Sequence, residues 1–142
     1  MNSYEAGLAL LEQAKRRLET SKRETLEGSP AYAVRSAQEC VELSLKAALR
    51  LLGVEYPKKH DVSRVLLLFK DRFPEWFNVD LFAIKSRELA EKREPAMYGD
   101  ELRGPDELFT REDAERALSD AEEIYRACRR LFDSYGRGGS RR

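Results

Sequence analysis

The sequence predicts an all-α protein, an up-and-down bundle of four main helices plus a short extra helix. Apolar residues recur at intervals of three and four along each long segment, which is the spacing of a helix face and not of a strand. Glycine and proline are few, and they divide the 142 residues into segments of helical length. Long helices joined by mostly short loops pack as antiparallel neighbours, which indicates the bundle.

The first two helices have the clearest predicted boundaries. We expect the first from about Ser3 to Leu26, with leucines on one side and basic residues largely on the other. The second begins with Ser29 as its N-cap and Pro30 at its first position, where a missing N–H costs nothing, and it stops at Gly53. Apolar residues cover well over half of its circumference, so this helix should contact neighbours on more than one side.

Two more helices are predicted in the middle of the chain. The third, which is the short one, should run from Asp61 or Val62 to Arg72. The fourth should run from near Asn78 to about Lys92, because its apolar residues keep a helical spacing over that range.

The end of the chain is predicted to hold a loop, a long helix and a tail. The loop runs from Pro95 to Pro105, and the capping-box pattern from Thr110 to Asp113 begins a strongly amphipathic helix that ends at about Tyr135. We therefore expect a single helical domain over residues 1–135 and a flexible Gly/Arg tail over 136–142.

Composition excludes several classes of protein. The 26 basic residues equal the 26 acidic ones, so the whole molecule has no general attraction to nucleic acid. The longest apolar run, Val65 to Phe69, is far shorter than the roughly 20 residues of a membrane span, and the N-terminus does not resemble a secretory signal, so we expect no membrane contact and a cytoplasmic protein. Cys40 and Cys128 lie far apart, which argues against zinc or disulfides; we predict no metal and no cofactor.

A narrow polar stripe runs along the second helix. Arg35 and Glu39, like Glu42 and Lys46, are opposite charges four residues apart, a spacing that brings side chains together. One interpretation is a solvated, salt-bridged edge, and the other is a polar seam that faces a cleft or a partner. Periodicity alone does not choose between them. The stripe consists of Arg35, Gln38, Glu39, Glu42, Lys46 and Arg50.

Four short patterns occur in order along the chain and together resemble one family. They are Ala37-Gln38-x-x-x-Glu42-x-x-x-Lys46-Ala47, then Lys59-His60-Asp61-Val62, then Arg93-Glu-Pro-Ala-Met-Tyr98-Gly-Asp100, and Thr110-Arg-Glu-Asp-Ala114. In this order they resemble the HEPN domain family over about residues 3–135. The resemblance implies a bundle of four or five helices, usually a homodimer, often encoded beside a minimal nucleotidyltransferase in a two-component, frequently toxin–antitoxin, arrangement.

The resemblance also implies an activity whose motif is absent here. Many family members are metal-independent endoribonucleases that use an Arg-x4–6-His motif on a late helix. The one histidine of this sequence is His60, and no arginine lies four to six residues before it. Counting five residues on from Arg93 reaches Tyr98 instead of a histidine.

Two functional hypotheses follow, together with a weaker third, a small RNA- or nucleotide-binding module that uses the basic C-terminus. The first is a homodimeric partner subunit of a minimal nucleotidyltransferase, without robust catalysis of its own and with contact to nucleotide or RNA. The second is a divergent metal-independent endoribonuclease that uses His60 across a dimer cleft, since histidine exchanges protons near neutral pH. A structural role of His60 at the helix entry is the alternative to both. The candidate cleft or partner-facing residues are Gln38, Glu42, Lys46, Lys59, His60, Asp61, Arg93, Tyr98 and Asp100.

Overall fold

The computed structural model describes residues 2–138, and over that range the chain forms helices and no strand. This confirms the predicted fold class, with four long helices and additional short ones. In chain order the elements are α1 (Ser3–Glu27), α2 (Pro30–Leu51), α3 (Ser63–Leu68), a 3₁₀ turn (Lys70–Arg72), α4 (Val79–Tyr98), α5 (Pro105–Leu108) and α6 (Arg111–Gly138).

The predicted starts of the second and last helices are confirmed by side-chain caps. Ser29 Oγ accepts a hydrogen bond from the backbone N–H of Tyr32 at 3.0 Å, with Pro30 at the first position of α2. At the start of α6, Thr110 Oγ accepts from the Asp113 N–H at 3.1 Å, and Asp113 Oδ2 accepts from the Thr110 N–H at 2.9 Å. Each cap satisfies an N–H that the helix itself leaves unpaired, so these ends are fixed locally.

The predicted end of the fourth helix, near Lys92, was wrong. Helix α4 continues through Pro95 to Tyr98, where Gly99 adopts a φ of 71° and ends it. Proline removes one N–H donor, but the carbonyl of Pro95 still accepts a hydrogen bond from the Gly99 N–H at 2.9 Å, so only one bond of the last turns is lost. The consequence is that Arg93 and Tyr98 are held by a helix and not by a loop.

Two further boundaries differ from the prediction. Helix α3 ends at Leu68, and the rest of the predicted segment to Arg72 forms the 3₁₀ turn, a common way to end a short helix. Helix α6 continues to Gly138, three residues beyond Tyr135. The remainder of the predicted flexible tail, residues 139–142, lies outside the described residues.

Helix α2 lies at the centre of the bundle, packed against α1, α4 and α6. Leu45 and Leu49, among its apolar side chains, are fully buried. Gly7 shows how closely α1 approaches, since a Cβ there would lie 2.7 Å from Phe132 Cζ and 2.9 Å from the Ala47 carbonyl oxygen. A helix with neighbours on several sides must be apolar around most of its circumference, as predicted.

Over the range that the structure describes, no helix is both long enough and apolar enough to cross a membrane.

Candidate functional site

The polar stripe of α2 is covered by side chains from three other elements. Gln38 is only 1% exposed and Lys46 only 8%. Arg17 reaches the stripe from α1, His60 from the loop before α3, and Arg93 from α4. From Gln38 to Lys46 the stripe is therefore a partly buried seam and not a solvated edge, whereas Arg50 at its end is exposed. We call the following residues the polar cluster: Arg17, Arg35, Gln38, Glu39, Glu42, Lys46, His60 and Arg93.

One half of the polar cluster is centred on the Glu42 carboxylate. Lys46 Nζ lies 2.8 Å from Glu42 Oε2, in the i,i+4 pair that the sequence predicts. Gln38 Nε2 donates to Glu42 Oε1 at 3.0 Å, and His60 Nδ1 lies 2.8 Å from the same oxygen. Three groups from two elements thus share one carboxylate.

The charge state of Glu42 determines which ring nitrogen of His60 carries the proton. Burial alone would raise its pKa, but the hydrogen bonds from Lys46, Gln38 and His60, together with the Lys46 charge, lower the pKa below its ordinary value. Glu42 is therefore ionised at neutral pH and can only accept hydrogen bonds. It follows that His60 carries a proton on Nδ1, which leaves Nε2 as the ring nitrogen for other chemistry.

The other half of the polar cluster is centred on Glu39. Arg17 Nε donates to Glu39 Oε1 at 3.0 Å, and Arg93 donates from one terminal nitrogen to Glu39 Oε2 at 3.0 Å. Arg35 Nε is 3.6 Å from the same Oε2, which is beyond hydrogen-bond distance. Arg93 also donates to Gln38 Oε1 at 2.8 Å, so this amide joins the two halves.

Two hollows open on the polar cluster, and His60 and Arg93 border both. The larger has a volume of about 370 Å³ and the smaller about 160 Å³. The larger is lined by His60, Ala90, Arg93, Glu94, Met97 and Tyr98, and the smaller by Arg17, Glu39, Glu42, Leu43, His60 and Arg93.

Most of the residues predicted as cleft candidates are brought together here. Gln38, Glu42, Lys46, His60 and Arg93 belong to the polar cluster. Tyr98 lines the larger hollow from the end of α4, with 71% of the residue exposed. Whether these residues bind a partner or a ligand stays a prediction.

Three other candidates lie outside the polar cluster, and two of them have local roles in the structure. Asp61 Oδ1 accepts from the Ser63 N–H at 2.8 Å at the start of α3, and Lys59 is exposed beside His60. Asp100 Oδ1 accepts from the backbone N–H groups of Leu102 and Arg103, at 2.9 and 2.7 Å, and holds the turn after α4. These backbone bonds lower the pKa of Asp100.

Sequence reasoning missed Arg17 as a site residue. It follows Lys15 and Arg16 in α1, and no local pattern distinguishes the three. The contact with Glu39 spans 22 positions and depends on how α1 packs on α2, which periodicity does not specify.

The two cysteines are not part of the polar cluster. Cys40 and Cys128 are both buried and form no disulfide. Burial raises the pKa of the Cys40 thiol to about 12 and also raises that of Cys128, so neither is a thiolate at neutral pH. Across residues 2–138, no group of three or more His, Cys, Asp or Glu side chains is arranged to hold a metal ion.

Comparisons with known proteins agree on the family. The sequence model of the HEPN domain family matches residues 8–131. A curated protein of Methanocaldococcus jannaschii, named "Putative toxin MJ1304", is 34% identical over 113 residues, which are 73% of this chain and 74% of the relative.

Two solved structures resemble the bundle. The crystal structure of TT1696 from Thermus thermophilus gives a TM-score of 0.72 at 27% identity and covers 92% of this chain and 98% of that one. ST0689, an archaeal HEPN homologue, gives a TM-score of 0.68 at 22% identity, covers 89% and 97%, and supports the fold alone. Because the family match spans most of the bundle and a relative agrees over nearly three quarters of the sequence, this chain belongs to the HEPN domain family.

Proposed function

We propose that this protein is the HEPN component of a toxin–antitoxin-like two-component system, in which it forms a homodimer and binds a minimal nucleotidyltransferase. The observation that carries the proposal is the similarity to the toxin-named archaeal relative over 73% of the chain. The absence of an Arg-x4–6-His motif from the sequence favours the partner role over catalysis by this chain.

The turn after α4 supports a protein-binding role. Leu102 is 92% exposed, and it lies in a turn that Asp100 holds through two backbone hydrogen bonds. The exposed Tyr98 precedes this turn at the end of α4. A fixed turn that presents large apolar side chains loses little conformational entropy when it binds a protein. We assign this turn to contact with the nucleotidyltransferase.

A second set of exposed apolar side chains supports the homodimer. Leu67 and Leu68 on α3 and Ile84 on α4 are exposed, and α3 packs against α4. Exposed leucine and isoleucine side chains are typical of surfaces that associate. We assign them to the contact between the two copies.

Reciprocal variants test the two contacts. We expect the wild-type chain to scatter light as a dimer, twice the 16.4 kDa of one chain, and to co-elute with the nucleotidyltransferase encoded beside it. Leu102→Glu should abolish co-elution and leave the dimer, whereas Leu68→Glu should give monomers. A wild-type monomer would exclude the homodimer, and failure of the wild-type chain to co-elute would exclude the partner role.

A second candidate function is a divergent metal-independent endoribonuclease. It is favoured by the pairing of His60 with the Glu42 carboxylate at 2.8 Å beside Arg93, because a histidine oriented by a carboxylate can transfer protons through Nε2. RNA incubated with the purified chain and excess EDTA tests it. Cleavage that disappears in His60→Ala and persists in the control Arg126→Gln would support this function; no cleavage by the wild-type chain would exclude it.

A further inference from the structure

A third hollow, of about 380 Å³, opens in the segment that joins α3 to α4. It shares no lining residue with the two hollows that border the polar cluster. Phe73 and Phe77 form part of its floor, and their rings are stacked with centroids 4.6 Å apart. We call it the aromatic hollow. Its lining includes Lys70, Asp71, Phe73, Pro74, Glu75 and Phe77.

The rim of the aromatic hollow carries more negative than positive charge. Asp71 and Glu75 are both exposed, and neither carboxylate has an ion-pair or hydrogen-bond partner among residues 2–138. The one base of the lining, Lys70, is bound at 2.9 Å to Asp80, which does not line the hollow. Two acids against one base leave the lining one negative charge, and the base is already engaged. The hollow therefore suits a cationic group.

Aromatic rings of the same segment already pack against guanidinium groups. Arg72 Cζ lies 5.0 Å from the centroid of the Phe69 ring, and Arg72 does not line the hollow. Arg130 of α6 places its Cζ 3.9 Å from the centroid of the Trp76 ring, which is 37% exposed and lies 6.0 Å from the Phe77 ring. Tryptophan and arginine are enriched among the residues that dominate binding at protein interfaces. This composition favours a protein partner at the adjoining hollow.

We infer that the aromatic hollow receives an arginine side chain of a protein partner. The carboxylates of Asp71 and Glu75 accept hydrogen bonds from the guanidinium group, and the apolar floor at Phe73 and Pro74 packs against the methylene stem. Arginine suits the site better than lysine, because its planar and weakly hydrated group packs on apolar and aromatic surfaces. The site requires neither the nucleotidyltransferase nor any cleavage of RNA.

A short peptide tests the site on the full chain. The ¹⁵N-labelled protein is titrated with acetyl-Gly-Arg-Gly-amide at fixed pH and ionic strength. NMR follows the backbone amides of residues 70–79 and the indole N–H of Trp76, which is the one tryptophan of the sequence. We expect saturable shifts centred on these signals. The same peptide with citrulline, a neutral analogue of arginine, should bind about fivefold more weakly or worse, because it lacks the charge that the carboxylates bind.

Neutral variants identify the carboxylates that bind. Asp71→Asn and Glu75→Gln should each weaken binding of the arginine peptide about two- to fivefold, the range of an exposed ion pair. Glu91→Gln is the matched control, since it removes an exposed carboxylate of α4 that does not line the hollow, and it should bind as the wild-type chain does. All three side chains are exposed, so the variants should fold, which circular dichroism checks.

Three outcomes would overturn the inference at the level of the site. They are no saturable shift with the arginine peptide, equal binding of the citrulline peptide, and equal weakening by Glu91→Gln. The alternative occupant is the pair of arginines at the end of this chain. Tighter binding of the peptide by a chain with Arg141→Gln and Arg142→Gln would assign the hollow to them and would overturn the protein partner. Because these measurements use the chain alone, their failure leaves the proposed partnership with the nucleotidyltransferase untouched.

Discussion

On its apolar side α2 buries Ala37, Leu45 and Ala48 completely, whereas on its polar side Glu39 and Glu42 meet charged side chains from other elements. Apolar burial is favourable whichever apolar neighbour provides it. A buried charge is tolerated only when a particular partner reaches it. Substitutions on the two sides of one helix should therefore have different consequences. Those on the apolar side change stability through packing, and those on the polar side change it through charge balance, which depends on pH and salt.

The largest effect should come from the apolar side. Leu45→Ala removes a fully buried side chain from the centre of the bundle and leaves a cavity, so we expect a loss of about 2–5 kcal/mol in the free energy of unfolding. Urea denaturation measures it. Leu26→Ala, which truncates an exposed leucine of α1, is the matched control and should change stability by less than about 0.5 kcal/mol.

The next largest effect should come from Glu42 at the centre of the polar side. Glu42→Gln keeps the shape but removes the charge that Lys46 and His60 share, so we expect a loss of about 1–3 kcal/mol at neutral pH. The folded-state pKa lies below the 4.5 of a free glutamate. The stabilisation by Glu42 is therefore complete above pH 4.5 and is lost as pH falls from there through the lowered pKa.

The pH dependence of stability checks this prediction. Below pH 4.5 the wild-type chain should lose stability more steeply than Glu42→Gln, because the variant lacks that titration. Glu122→Gln, at an exposed i,i+4 pair of α6, is the control and should keep the wild-type slope. Identical slopes in wild-type and Glu42→Gln chains would contradict the lowered pKa.

The sequence was sufficient to predict those helix starts that depend on residues close together in the chain. Ser29, Pro30 and Thr110 fix helix starts through atoms within three residues, and each start was predicted correctly. Pro95 was misread as a break because one missing N–H does not stop a helix whose remaining bonds persist, so the C-terminal end of α4 and the start of the following loop were misplaced.

The candidate site was predictable only in part. The Glu42 and Lys46 pair follows from helical spacing. The contacts of Glu39 with Arg17 and Arg93 span 22 and 54 positions, and they depend on which faces of α1 and α4 meet α2. Residue type and spacing do not specify which helix faces meet. The three guanidinium groups around the one carboxylate of Glu39 are therefore visible only in the fold.

Replacing two buried serines by alanine should change stability by smaller amounts, and the two changes should have opposite signs. The Ser36 hydroxyl on α2 is 1% exposed and has no hydrogen-bond partner among residues 2–138, so Ser36→Ala should raise stability by up to about 1 kcal/mol. The Ser21 hydroxyl is also buried but donates to the Ala33 carbonyl at 2.8 Å, so Ser21→Ala should lower stability by about 1 kcal/mol. Thermal denaturation compares them, and a destabilised Ser36→Ala chain would show that its hydroxyl has a partner.

The smallest effect should come from Arg35, at the edge of the polar cluster. Its Nε lacks a hydrogen bond, and it shares Glu39 with two other guanidinium groups, so its attraction to the carboxylate is offset by their repulsion. Arg35→Gln should therefore change stability by less than about 0.5 kcal/mol, and the difference from the wild-type chain should shrink as salt screens the charges.

Glu39→Gln is the counterpart, since it leaves three guanidinium groups with no carboxylate and should lower stability by about 1–3 kcal/mol. Urea denaturation at low and high salt measures both variants. If Arg35→Gln lost as much stability as Glu39→Gln, the charges around Glu39 would be balanced in the folded chain.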